Sequence, residues 1–418
     1  MRRINRKTED TKTEVHQIKL MVLFLSFLKI GTISWGGFMS LISVVQKELI
    51  QKKGILKDKD VLDGISMASI LPGPVAVNVI VYIGYQLRGI KGAAVSMLGI
   101  LLPSFIFMMI LSYIYLEYAQ LPVLANFFKG VLPAITAIIF LVAFGMAKKH
   151  IKDYKQVIIC VLAIVALILM KSVFTTFIII LGGAFFGYVF YNKSKEMPNT
   201  NTAQSNKNSG NKRQLIYVLS GVVGFSALLW FLPFILPDSM APLAQIEKDL
   251  FITFSSISVT LFGGGYVIIP IMQDIIVSEL GWLSIKEFTD AIAMGQLTPG
   301  PIFISATFIG YKVGGILGAI TATLAIFVPP GLMMLFFSEF FNKIRHSKFV
   351  IAAFKGLHPA VIGMIFAAVF TIGKSIPFSW FSVCVFIAIL IASLKYKIDV
   401  VYLIPLSGIS GVLFFNFF

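Results

Sequence analysis

Long apolar stretches alternate with short polar segments along most of the chain. In the first half, apolar stretches cover about residues 92–115, 130–148, 156–171 and 172–191, and a comparable series follows in the second half. Each approaches the roughly 20 residues with which a helix crosses a hydrocarbon core of about 30 Å. The pattern therefore predicts an all-α, polytopic membrane protein.

The two halves of the sequence repeat one series of motifs. The tripeptide Pro-Gly-Pro at 72–74 recurs 227 positions later, at 299–301. Each copy lies 36 residues after the first glycine of a glycine-rich motif, WGGF at 35–38 and FGGG at 262–265. Further matches continue at an offset of 226, so one register holds over more than a hundred residues. We interpret the chain as an internal duplication.

The duplication divides the chain into five segments. They are a basic tail (1–19), a first repeat (20–191), a polar linker (192–213), an apolar linking transmembrane helix (214–236) and a second repeat (237–418). One additional crossing between the two copies turns the second copy upside down in the membrane. The prediction is thus two inverted-topology repeats with about nine full crossings, an organisation typical of secondary transporters.

The distribution of basic residues favours the same inversion, because Lys and Arg near the ends of spans favour the cytosol. When the tail is placed in the cytosol, most of the 35 Lys and Arg residues fall on that side. The loop QKKGILKDKD at 51–60 is basic, whereas its counterpart SELGWLSIKE at 278–287 carries more acid than base. We predict a multi-pass protein of the plasma membrane, with the tail and residues 192–213 in the cytosol and the C terminus outside.

Each repeat is predicted to contain two broken, re-entrant helical hairpins. In the first repeat they span 20–49 and 60–88, and their helices break at the glycine pair 36–37 and at Pro-Gly-Pro. Backbone freed at membrane depth must be buried in protein or line a wet cavity. A helix that restarts after such a break presents unpaired N–H groups, which suit an anion. The alternative is that these glycines and prolines only permit kinks and close packing.

The candidate substrate-binding residues are the breaks and the hydrogen-bonding groups around them: Lys29, Trp35, Gly36, Gly37, Pro72, Gly73, Pro74, Asn78, Gly263, Gly264, Gly265, Gln296, Thr298, Pro299, Gly300, Pro301 and Ser305. Lys29 lies inside an apolar stretch and is either an anion contact or a side chain that reaches the cytosolic surface. Glu48 and Asp274 either relay protons or occupy solvated hairpin ends. Asp63 and Asp290, each nine residues before a Pro-Gly-Pro, are predicted to stabilise helix starts through the helix dipole.

Composition excludes several classes of protein. The chain is 57% hydrophobic and only 13% charged, which argues against a soluble enzyme. Its net charge is +16, but the basic residues lie between apolar stretches and do not gather on one soluble face. No nucleic-acid partner is therefore predicted. The two cysteines lie in apolar stretches and the four histidines show no ligand spacing, so we predict neither metal nor cofactor. The sequence shows neither a nucleophile paired with a base nor paired carboxylates, so we do not predict an enzyme.

Four segments resemble the chromate ion transporter family in its two-domain, long-chain form: LKIGTISWGGF, ILPGPVAVNVIVYIGYQLRGIKGA, LFGGGYVIIP and EFTDAIAMGQLTPGPIFISATFIGYKVGGILGA. The resemblance implies a secondary transporter that exports chromate, a tetrahedral dianion. One departure is Phe38, since proline usually follows the family's first glycine pair. Sulfate or another anion with proton coupling is the alternative substrate class, a channel is a third reading, and the lipid bilayer and a second copy of the chain are the expected partners.

Overall fold

The computed structural model describes residues 18–35, 38–118, 121–170, 173–192, 241–261, 266, 268–338, 348–376 and 378–417. Within these ranges the chain forms helices and no strand. The predictions for the tail, most of the linker, the linking helix at 214–236 and the glycine-rich breaks at 36–37 and 262–265 lie outside the described residues.

The two halves contain the same succession of helices. The first half comprises α1 (Leu20–Ile33), α2 (Phe38–Val45) with a π-helical continuation (Gln46–Lys52), α3 (Asp58–Ala68), α4 (Val75–Tyr118), α5 (Pro122–His150), α6 (Tyr154–Leu169) and α7 (Val173–Tyr191). The second half comprises α8 (Ala241–Thr260), α9 (Ile268–Met272) with a π-helical continuation (Gln273–Glu279), α10 (Ile285–Leu297), a 3₁₀ turn (Ile302–Ile304), α11 (Ser305–Ser338), α12 (Lys348–Ser375), α13 (Trp380–Leu394) and α14 (Val400–Phe417).

Helix α4 folds back on itself near its middle. Arg88 and Gly89 leave the helical conformation, and Gly89 has a φ of 61° that favours glycine. The reversal brings the backbones of Gly84 and Gly92 so close that a Cβ on either would overlap the other. Helix α11 reverses in the same way at the corresponding glycines, Gly314 and Gly315.

Two equivalent helices, α5 and α12, pack antiparallel against each other. The rings of Phe140 and Phe366 lie 5.8 Å apart, and those of His150 and His358 lie 4.5 Å apart. From Phe140 to His150 on α5, the contacted residues on α12 run in the opposite direction, from Phe366 to His358. The two helices are therefore antiparallel. Each of these helices also packs against the last helix of the other half, α5 on α14 and α12 on α7.

Five of the described helical segments are long and apolar enough to cross a membrane: Val75–Tyr118, Pro122–His150, Ile302–Ser338, Phe349–Lys374 and Val400–Phe417. Large apolar side chains such as Leu98, Phe107 and Leu317 are exposed on their outer faces, where lipid would cover them. The prediction of an all-α, polytopic membrane protein is confirmed.

Candidate functional site

The two Pro-Gly-Pro turns are buried breaks between helices. The first joins α3 to α4, and the second joins α10 to the turn before α11. All six residues of the two tripeptides are buried. Gly73 has a φ of 100° and Gly300 a φ of 113°, a region that side chains with a Cβ rarely occupy, so glycine is required at both positions. The prolines lack N–H groups and keep the preceding helix from continuing.

Each Pro-Gly-Pro turn is held by the opposite half of the chain. The Gly73 N–H donates to the Leu261 carbonyl at 2.7 Å, and the Gly300 N–H donates to the Ser34 carbonyl at 2.9 Å. Leu261 directly precedes the glycine-rich motif of the second half, and Ser34 lies just before that of the first half. The structure therefore places each Pro-Gly-Pro turn beside the residue that directly precedes the other half's glycine-rich motif.

Close packing reinforces this reciprocal arrangement. A Cβ on Gly73 would overlap the ring of Pro330 in α11, and a Cβ on Gly300 would overlap the hydroxyl of Ser104 in α4. Ser104 Oγ also donates to the Pro299 carbonyl. Ser104 and Pro330 are equivalent positions at the offset of 226. Each half therefore packs against the other half's Pro-Gly-Pro turn through the same position of its long helix.

Several buried polar groups surround the turns. Asn78 is fully buried in the first turn of α4, and its Nδ2 donates to the Pro72 carbonyl at 3.0 Å. Ser305 is its equivalent in the second half, and the hydroxyls of Ser305 and Ser34 have no hydrogen-bond partner within the described part of the chain. Buried polar atoms are usually hydrogen-bonded, so each of these hydroxyls retains an unused donor within the described part of the chain.

Gln296 and Thr298 precede the second turn and differ in which of their hydrogen-bonding atoms already have partners. Thr298 Oγ1 donates to the Gly295 carbonyl at 2.9 Å and so caps the end of α10. The Tyr266 hydroxyl donates to Gln296 Oε1 at 3.4 Å, whereas Gln296 Nε2 has no acceptor among the described residues. The amide of Gln296 therefore retains donors for a ligand.

The indole N–H of Trp35 is hydrogen-bonded within the end of α1. Its Nε1 donates to the Thr32 carbonyl at 3.1 Å, and its ring meets that of Phe107 edge to face with centroids 6.2 Å apart. The ring thus closes the end of α1 against α4. The neighbouring candidates Gly36 and Gly37, like Gly263, Gly264 and Gly265, lie outside the described residues.

Lys29 and Glu48 form an ion pair within the first half. Lys29 Nζ lies 3.1 Å from Glu48 Oε2, and Lys52 Nζ lies 2.7 Å from Glu48 Oε1. The hydrogen bonds from Lys52 and from Lys29 hold the pKa of Glu48 below its usual range. Glu48 is therefore ionised at neutral pH, and the charge of Lys29 is compensated. Asp274, the other predicted proton relay, lies in the π-helical segment, and its Oδ2 has no partner among the described residues.

We expect Lys29→Met to leave transport of the anion that the resemblance implies close to the wild-type rate, because Glu48 keeps Lys52 as a partner and the Lys29 side chain is 56% exposed. The measurement is the KM for that anion in proteoliposomes. A large rise in KM would place Lys29 in the binding site.

The prediction that Asp63 and Asp290 stabilise helix starts is wrong. The starts of α3 and α10 are capped by Asp60, which accepts from the Lys57 N–H, and by Ser284 with Glu287. Asp63 and Asp290 lie beyond the first turn, where the dipole effect has faded. Asp290 is fully buried and accepts a hydrogen bond from the Tyr115 hydroxyl at 2.7 Å.

The sequence-based set omitted Ser34, Ser104 and Tyr115. All three lie in largely apolar helices or at their ends, where a polar side chain indicates a buried hydrogen bond but not its partner. Each contacts a residue of the opposite half or lies beside one. Among the described residues, no three His, Cys, Asp or Glu side chains cluster as a metal site would require.

Buried helix breaks held between two similar halves of a membrane protein are typical of transporters with interrupted helices. The chain belongs to the chromate transporter family: the family model, described as "Chromate transporter", matches residues 21–188 and 248–412. The predicted family membership is confirmed, and the protein is a membrane-embedded transporter.

Similar proteins span most of the chain. An uncharacterized transporter of Methanocaldococcus jannaschii is 28% identical over 92% of this chain and 92% of its own length. The chromate transport protein of Cupriavidus metallidurans is 29% identical over 85% of this chain and 83% of its own length. The uncharacterized transporter YwrA of Bacillus subtilis is 29% identical over 40% of this chain, which covers 96% of YwrA. No solved structure matches this chain.

Proposed function

We propose that the protein is a secondary active transporter that exports chromate across the plasma membrane. Its two halves would alternate access to a site formed by the Pro-Gly-Pro and glycine-rich breaks. The observation that carries the proposal is the reciprocal pair of hydrogen bonds from Gly73 to Leu261 and from Gly300 to Ser34. Because each half holds the other's break, a movement between the halves must change the geometry at both breaks together.

We further propose that the halves are inverted relative to each other. Antiparallel packing of the equivalent helices α5 and α12 supports inversion, because copies with the same orientation in the membrane would have equivalent spans parallel. The half-length relative YwrA supports a repeat unit that exists as a chain of its own. In this arrangement the N terminus and the linker face the cytosol and the C terminus lies outside.

The proposed substrate is a tetrahedral oxyanion. Helix α4 begins directly after the first Pro-Gly-Pro turn, and the 3₁₀ turn before α11 begins directly after the second. The unpaired N–H groups and the positive dipole ends at these starts favour an anion. The hydroxyls of Ser34 and Ser305 and the amide of Gln296 supply further neutral donors. The relative from Cupriavidus metallidurans is named a chromate transport protein, which makes chromate the first substrate to test.

Counterflow in proteoliposomes tests this proposal. Vesicles loaded with unlabelled chromate should accumulate radiolabelled chromate transiently, and external sulfate should compete if the site accepts oxyanions generally. Saturable counterflow supports a carrier. Flux that never exceeds equilibration indicates a channel, and chromate flux equal to that of empty vesicles would refute anion transport. The predicted homodimer stays a prediction, and the size of the detergent-solubilised protein decides it.

Ser305→Ala should raise the KM for chromate by about tenfold, since a hydrogen bond to a charged group contributes roughly 1.5 kcal/mol or more. Ser69→Ala is the control, because Ser69 is exposed and its hydroxyl bonds only the Ile65 carbonyl. Equal KM values for the two variants would remove Ser305 from the proposed site.

A further inference from the structure

Asp290 is a carboxylate buried where the two halves meet. It lies five residues after the start of α10, the helix that leads into the second Pro-Gly-Pro turn, and its side chain is 0% exposed. Its Oδ2 accepts the hydrogen bond from Tyr115, which lies on α4 in the first half. This contact therefore joins two halves that the proposed transport cycle moves relative to each other.

Tyr115 is fixed in place by its aromatic neighbours. Its ring packs edge to face against Phe128 of α5 and Phe308 of α11, with both centroid distances at 5.3 Å. The hydroxyl has little freedom to follow Asp290 if α10 shifts. Phe128 belongs to the same half as Tyr115, whereas Phe308 belongs to the half of Asp290, so a movement between the halves would change the packing around the Tyr115 ring and with it the length of the hydrogen bond.

The charge of Asp290 is only partly compensated. Its second oxygen, Oδ1, has no hydrogen-bond partner among the described residues. Lys286 Nζ lies 4.0 Å from Oδ2 but is mostly exposed. Glu287, also on α10, is bound by Lys312 of α11 and by Ser284, so these groups offer Asp290 no additional positive charge.

The protonation state of a carboxylate in such surroundings is sensitive to changes in the groups around it. Burial disfavours the ionised form, whereas the Tyr115 hydroxyl and Lys286 favour it, so opposing effects act on one group. Loss of the Tyr115 hydrogen bond would remove one of the two contributions that favour ionisation. The equivalent residue, Asp63, is only half-buried, so its carboxylate is less removed from water than that of Asp290.

We propose that Asp290 is the proton-carrying residue that couples anion transport to the pH gradient, with Tyr115 controlling its protonation as the two halves move. The proposal rests on the proposed transport function. It assigns the role to a residue that the sequence pattern placed at a helix start, in preference to Glu48, which two lysines hold ionised.

The test compares wild type with Asp290→Asn in proteoliposomes containing the full chain. Chromate counterflow at equal pH measures exchange, and chromate accumulation under an imposed pH difference measures coupling. We expect Asp290→Asn to retain exchange and to lose pH-driven accumulation by about tenfold or more, the range of a typical coupling free energy. Both proteins meet the same mixture of chromate protonation states, so the difference between them reports the residue. Accumulation equal to wild type would overturn the proposal.

Two further variants keep the result interpretable. Asp63→Asn is the matched control and should retain both exchange and accumulation. Asp290→Glu restores a titratable group and should recover accumulation with a shifted pH profile of exchange. If Asp290→Asn does not fold, the Glu variant decides: a shifted profile supports proton carriage, and an unchanged profile refutes it. If the wild type exchanges oxyanions but shows no response to pH gradients, the coupling proposal fails alone; absent exchange refutes the transport proposal itself.

Discussion

Gly73→Ala is expected to lower chromate exchange by at least about tenfold, because two costs coincide at this residue. The φ of 100° lies in a region where a side chain costs on the order of 1–3 kcal/mol. The new Cβ would also overlap the rigid ring of Pro330. The turn must therefore shift, and the hydrogen bond from the Gly73 N–H to Leu261 would be lost. Counterflow at matched protein content measures the effect.

The comparison with other glycines separates strain from contact. Gly54→Ala is the control, because Gly54 also has a positive φ, 62°, but a Cβ there meets nothing within 4 Å. Gly300→Ala should have an intermediate effect, since its Cβ would meet the Ser104 hydroxyl, which can rotate more easily than a proline ring can move. Exchange by Gly73→Ala at the level of Gly54→Ala would show that the turn tolerates displacement and does not shape the site.

The sequence was sufficient to locate the breaks but not to identify their partners. Two prolines around a glycine preclude a continuous helix wherever they occur, so the turns at 72–74 and 299–301 follow from local chemistry alone. Which carbonyl accepts the Gly73 N–H depends on how the chain at the end of α8 lies beside the first Pro-Gly-Pro turn, and Leu261 carries no mark of that role. Apolar periodicity shows that a helix is buried without showing against what.

The wrong prediction for Asp290 has a specific cause. Its distance from Pro-Gly-Pro predicts a helix start near this residue, but the pattern Ser284-Ile285-Lys286-Glu287 is a capping box and fixes the start five residues earlier. Recognising it would have placed Asp290 beyond the first turn. Its hydrogen bond to Tyr115, 175 residues away in sequence, could not be predicted in this way, because the contact arises only when the two halves are assembled.

Gly187→Val should prevent the two halves from assembling into a stable protein. Gly187 on α7 lies against the backbone of α12, and a Cβ there would be 2.6 Å from the Gly356 nitrogen and 2.7 Å from the carbonyl oxygens of Ala352 and Ala353. Backbone atoms within a helix cannot yield as a flexible side chain can, so the helices must separate. Overpacking typically costs about 1–3 kcal/mol, and contact with three backbone atoms places this variant at the upper end of that range. Thermal unfolding of the detergent-solubilised protein measures the loss.

The same helix provides a close control. Gly182 lies five residues before Gly187 on α7, and a Cβ there meets nothing within 4 Å. Gly182→Val introduces the same β-branched side chain into the same helix, so intrinsic helix propensity changes equally in both variants. Equal stabilities would mean that α7 and α12 do not cross through these glycines. A large loss confined to Gly187→Val would establish that α7, the last helix of the first half, is part of the second half's core. The two halves would then have to fold as one unit and could move against each other only at their broken helices.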